Sequence, residues 1–215
     1  MQGVKKYICK LRELTVRWER GDEGGTALLN ILRRIQADKK PRKRAAGSGC
    51  WPGERDQLTG AVNKRAFQKK VESALADSQG NGCLLLVDID CMQRINESFG
   101  RETGDRVLQA VFDVLRENFR AGDIIGRLSE DSFGIWIEGL SADQVSGIRR
   151  RIAMVNDRLL HNGRGLPQAT LSAGAALGES GGSYRELYDQ ARKVLYHVKE
   201  GGRCGCEVYV DRRND

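Results

Sequence analysis

The chain has 215 residues, 40% hydrophobic and 30% charged, which excludes a disordered chain and allows one domain with an extension or two small domains. No stretch approaches about 18 consecutive apolar residues, which argues against a transmembrane helix, and the opening MQGVKKYICKLREL lacks the apolar core of a secretory signal, so a cytoplasmic location is expected. Lys and Arg number 36 against 29 Asp and Glu, a net of +7, yet residues 1–52 carry 13 basic and 5 acidic groups (+8) and residues 53–215 carry 23 and 24 (−1). The basic character belongs to the first quarter, so it does not mark the rest of the chain as nucleic-acid-binding.

Apolar positions at Tyr7/Ile8, Leu11, Leu14 and Trp18 fall at helical spacing, Gly21, Gly24 and Gly25 interrupt them, and Leu28, Ile31/Leu32 and Ile35 resume the stripe. This predicts a helical hairpin over residues 1–45, too small to hold a core alone and suited to dimerisation or to an unidentified protein partner. It ends in Lys39-Lys40-Pro41-Arg42-Lys43-Arg44, five cations in six residues. Such a run is a solvated segment or a contact for nucleic acid or an anionic membrane surface; without interleaved aromatics it is weak evidence for sequence-specific DNA binding. Gly, Ser and Pro then punctuate a linker over 46–52, and a second domain is expected over 53–215.

In that domain the pattern is mixed. A helix is predicted from about Lys64 to Asp77, then a turn, then CLLLVDID as a central strand ending in two carboxylates. Residues 102–119 read as an amphipathic helix with Val107, Leu108, Val111 and Leu115 on one face. Asp123 to Leu128 and Phe133 to Glu138 read as a β-hairpin, followed by a helix over 141–160, the strand QATLSAGAAL, a helix over 184–199 and a last strand CEVYV. The hairpin excludes an all-parallel sheet and favours an α+β fold with one face of helices. The six cysteines, Cys9, Cys50, Cys83, Cys91, Cys204 and Cys206, have the spacing of neither a zinc site nor a disulfide framework, and reduced thiols are expected.

Two acidic features stand out. Asp88 and Asp90 end the first long strand on the same face, and Ser129-Glu130-Asp131-Ser132 forms an acidic turn. Paired carboxylates at a strand end facing an acidic hairpin suit a Mg²⁺–triphosphate site; a solvated acidic loop is the bland alternative.

The wording of the motifs adds to this. Residues 56–67, DQLTGAVNKRAF, resemble the DxLTGLxNRRxF segment of GGDEF domains, the diguanylate cyclase family. LLLVDIDCMQRINESFG resembles its DIDxFKxINDxxGH segment, Gly104-Asp105-Arg106-Val107-Leu108 its GDxVL helix, and ATLSAGAA its VTxSxGxA strand. Residues 191–203, ARKVLYHVKEGGR, resemble ADxALYxAKxxGRN, and RLSEDSF stands where the family has RYGGDEF. The resemblance runs from about Gly53 to Val210 and implies a palm-like, nucleotidyl cyclase-like fold: a mainly antiparallel sheet flanked by helices, beside the N-terminal hairpin. It also implies condensation of two GTP into cyclic di-GMP by a homodimer. By the same resemblance Asp88, the Ile89 carbonyl and Asp131 would hold Mg²⁺. Asn96 and Asp105 would read guanine, and Lys199 and Arg203, one helical turn apart, would grip phosphates. Arg120 and Asp123 stand at the family's RxxD site for cyclic di-GMP, five residues ahead of Ser129.

The departures converge on the catalytic site. Ser129 and Glu130 replace two glycines, Ser132 replaces the glutamate implicated in catalysis, and Met92-Gln93 replace Phe-Lys. Losing one transition-state charge contact costs about 10²–10³ in rate, so several together imply negligible turnover. The expectation is a degenerate GGDEF domain acting as a regulatory, cyclic di-GMP-sensing or protein-interaction module, with Mg²⁺ needed only if GTP is bound. The alternatives are a weakly active diguanylate cyclase and a scaffold with vestigial nucleotide sites.

Overall fold

In the computed structural model, residues 53–77, 81–140, 144–163 and 165–209 are described; the expected hairpin, the basic run and the linker lie outside them. A six-stranded sheet carries the fold. Its strands are β1 (Val62–Asn63), β2 (Gly82–Ile89), β3 (Ile124–Arg127), β4 (Ser132–Glu138), β5 (Leu171–Gly178) and β6 (Cys206–Val208). They lie in the order β1-β3-β4-β2-β5-β6. β2 runs antiparallel to both its neighbours and β3 is antiparallel to β4, whereas the short outer strands β1 and β6 pair in parallel. The mainly antiparallel α+β architecture is therefore as expected, with CLLLVDI as a central strand.

Helices cover both faces, not one. Cys83, Leu85, Val87 and Ile89 of β2 are buried against α3 (Arg101–Asn118) and α4 (Ser146–Leu160). Leu84 and Leu86 point the other way, into a second cluster with Phe67, Val71 and Leu75 of α1 (Lys64–Ala76) and Leu187, Ala191 and Leu195 of α5 (Tyr184–Glu200). A strand buried on both faces reads as a continuous apolar run, and that is what CLLLV is. A short helix, α2 (Met92–Phe99), fills the segment between β2 and α3.

Absent side chains set the close contacts. A Cβ on Gly174 of β5 would lie 2.2 Å from the Ala191 carbonyl oxygen and 2.4 Å from the Leu195 nitrogen, so this glycine lets α5 press its backbone onto the sheet. Gly126 and Gly134 are cross-strand partners, and a Cβ on either would meet Phe67 within 2.7 Å. Asn63 starts α1 as a side-chain cap, its Oδ1 accepting from the Ala66 N–H at 3.0 Å. Among the described residues, no helix is long and apolar enough to cross a membrane.

Candidate functional site

The candidate site gathers at the carboxyl end of β2. Asp88 pairs in register with Ser132 of β4 and Ser172 of β5, on the sheet face that α5 covers. The Ile89 N–H donates to the Asp131 carbonyl at 3.0 Å, which draws the hairpin tip against the strand end. The Lys199 ammonium, near the end of α5, makes an ion pair and hydrogen bond with Asp88 Oδ2. Burial pushes the Asp88 carboxyl up, Lys199 pulls it down, and the charges of Asp131 and Asp90 push it up again.

Asp88 and Asp90 do turn to the same side, but they do different work. Asp90 is buried and saturated: Thr170 Oγ1 and Ser172 Oγ each donate to it at 2.7 Å, and the Cys204 N–H donates at 3.1 Å. Its own N–H donates to the Thr170 carbonyl. This carboxylate ties the start of β5 to the loop after α5. That loop carries Arg203, which is not one helical turn beyond Lys199, because α5 ends at Glu200. Arg203 takes a left-handed φ of 66°, followed by Cys204 at 54°, and its N–H donates to the Val198 carbonyl.

The hairpin tip is held by its own side chains. Ser129 and Ser132 hydroxyls lie 2.6 Å apart, and Ser129 Oγ donates to Asp131 Oδ1 at 3.1 Å. Arg127 braces it: Nε donates to the Ser129 carbonyl at 3.1 Å, Nη2 to the Glu130 carbonyl at 3.0 Å, and Nη1 to Asp56 at 3.1 Å. Asp56 also accepts from the backbone and hydroxyl of Thr59 at 2.9 and 2.7 Å. Sequence reasoning passed over Arg127; the arginine preceding the turn in RLSEDSF was the signal available.

Asn96 of α2 packs on Gly104 of α3, where a Cβ would lie 1.8 Å from Asn96 Oδ1, and Asp105 is the next residue of that helix. Asp105 is exposed. Gln93 faces along its own helix and donates to Glu97 at 2.8 Å. Arg120 and Asp123 lie on the turn between α3 and β3. The Arg120 N–H donates to Asp123 Oδ2 at 2.9 Å and the Asp123 N–H donates to the Arg120 carbonyl at 3.0 Å. Burial pushes the Asp123 carboxyl up, while the Arg120 backbone bond and the Arg151 and Arg120 charges pull it down. Arg151 of α4 lies over the Phe119 ring, 5.7 Å from its centre, and so adds a second guanidinium to this corner.

The donor set at the strand end suits a divalent cation. Asp88 and Asp131 present hard oxygens close enough for one to perturb the other, with the Ile89 carbonyl between them in the chain. The described residues hold no group of three or more His, Cys, Asp or Glu side chains placed around a metal. Among the described thiols, burial pushes Cys83 and Cys206 up to about 12, and Cys204 upward, which disfavours a metal-binding thiolate at those three positions.

Residues 54–204 match the family described as diguanylate cyclase, GGDEF domain. The probable diguanylate cyclase DgcT of Escherichia coli K12 is 27% identical over 154 residues, covering 69% of this chain and 34% of its own length. The probable diguanylate cyclase DgcC of the same strain is 31% identical over 161 residues, covering 72% of this chain and 43% of its own. The chain therefore spans less than half the length of these two relatives. The GGDEF domain of DgcB from Caulobacter crescentus, solved in complex with c-di-GMP, superposes with a TM-score of 0.67 at 23% identity, covering 74% of this chain and 97% of that one.

Proposed function

Because the chain belongs to the diguanylate cyclase GGDEF-domain family, we propose that it is a member whose cyclase site has degenerated and which works as a regulatory or cyclic di-GMP-sensing module. One observation carries this reading: the hairpin tip is a closed hydroxyl–carboxylate cluster of Ser129, Asp131 and Ser132, braced by Arg127. In the family signature two glycines let the backbone approach the substrate, and a glutamate supplies charge for catalysis. Here Glu130 adds bulk and negative charge beside the triphosphate position, and a neutral hydroxyl takes the glutamate's place.

The remaining residues are ones that bind rather than react. Asp88, Asp131 and the Ile89 carbonyl would hold Mg²⁺, whose chemistry there is neutralisation of phosphate charge. Asn96 and Asp105 would accept and donate at a guanine edge, and Lys199 and Arg203 would contact phosphates. Arg120, an exposed residue, and Asp123 would hold cyclic di-GMP, the ligand with which the similar DgcB domain was solved. A homodimer, or a protein partner engaged through residues 1–45, would carry the output.

A second reading, a weakly active cyclase, draws on the same retained Asp88, Asp131, Asn96 and Asp105. Calorimetric titration of the full chain with cyclic di-GMP and with GTP, wild type against Arg120→Ala, together with an assay of GTP conversion in Mg²⁺ or Mn²⁺, separates the readings. Saturable cyclic di-GMP binding lost in Arg120→Ala is expected. No binding of either nucleotide leaves only a protein-interaction scaffold and overturns the sensing reading.

A further inference from the structure

Lys199, the residue proposed above to contact phosphate, is bonded to Asp88 when no phosphate is present. The placement is built by the fold. Gly174 seats α5 against β5, and Asp90 anchors the following loop through Cys204, so the last turn of α5 is fixed over the end of β2 from both sides. The pair is partly exposed, with side-chain exposures of 35% for Lys199 and 18% for Asp88. Three carboxylates, Asp88, Asp90 and Asp131, crowd this strand end, and Lys199 is the cation that contacts Asp88. A divalent ion held by Asp88 would share that carboxylate with the Lys199 ammonium, and like charges on one carboxylate repel.

We infer that Lys199 is a built-in counter-ion of the Asp88–Asp131 pair, which keeps bare divalent cations from occupying it. An ammonium on a flexible stem is suited to this task, because it is a compact charge that leaves one anion when another is offered. The inference concerns the metal alone and needs no nucleotide, so a chain that binds neither GTP nor cyclic di-GMP leaves it intact.

The test uses the full chain, Mn²⁺ as probe and no nucleotide, with free Mn²⁺ read by electron paramagnetic resonance. Lys199→Gln is expected to bind one Mn²⁺ about tenfold more tightly than wild type, from removal of one unit charge beside the ion. Lys199→Arg keeps the charge and is expected to bind as weakly as wild type. Adding Asp88→Asn to Lys199→Gln is expected to abolish the gain, and Lys199→Met supplies a second neutral variant should the glutamine form melt early. Neutral variants that bind Mn²⁺ no better than wild type, or a gain that survives Asp88→Asn, overturn the inference.

Discussion

At the scale of single residues, carboxylates of one chemical type do opposite things according to their partners. Asp90 is buried with three donors on its side chain, so it acts as a fastener and not as a ligand. Asp90→Ala strands Thr170, Ser172 and the Cys204 N–H together, and is expected to lower unfolding stability by about 2–4 kcal/mol, read from urea melts. Asp56 lies below its ordinary 3.8: burial pushes it up, but bonds from Thr59 and Arg127 outweigh that. Its stabilising contribution is therefore complete above the ordinary carboxylate range and is lost as pH falls through the depressed value. Asp88 and Asp123 are shifted upward, so protonation relieves them first and their contribution has the opposite sign. Asp56→Asn is expected to unfold more easily than wild type at pH 6 and to approach it only as pH falls through the depressed Asp56 value, below which both lack the charge. A constant gap between the two across that range contradicts the assignment.

At the scale of elements, the site depends on how α5 and the β3–β4 hairpin are held. Gly174→Ala forces a methyl into the α5 backbone at Ala191 and Leu195, contacts that cannot yield as a side chain would. It is expected to cost about 3 kcal/mol or more, seen as a lowered thermal midpoint, and to weaken the Lys199–Asp88 pair by lifting the helix. Elements with strong periodicity were legible in the sequence: α1, α3, α5 and β2 fall within a few residues of their expected limits. The eight-residue α2 and two-residue β1 were not, because neither is long enough to show a period. The carboxylate pair at the end of β2 was legible as well, whereas the division of labour within it was not. Asp90 is set by Thr170, Ser172 and Cys204, 80 to 114 positions away, and Arg127 by Asp56, 71 positions away. Partners so distant leave no local pattern.

At the scale of the whole molecule, the described residues form a palm-like sheet with helices on both faces, and the continuous run CLLLV is the sequence mark of that two-sided burial. The family's fold is present, and the proposed degeneration of its hairpin tip is expected to leave ligand binding and remove turnover. The near-neutral charge of residues 53–215 is consistent with this, since Asp88, Lys199 and their neighbours decide the local field and the net sum does not. Conversion of GTP to cyclic di-GMP by the purified full chain, with Mg²⁺ or Mn²⁺ present, is the most direct measurement of that account. The prediction is no product above a protein-free control; product that accumulates with wild type and disappears in Asp88→Ala contradicts it.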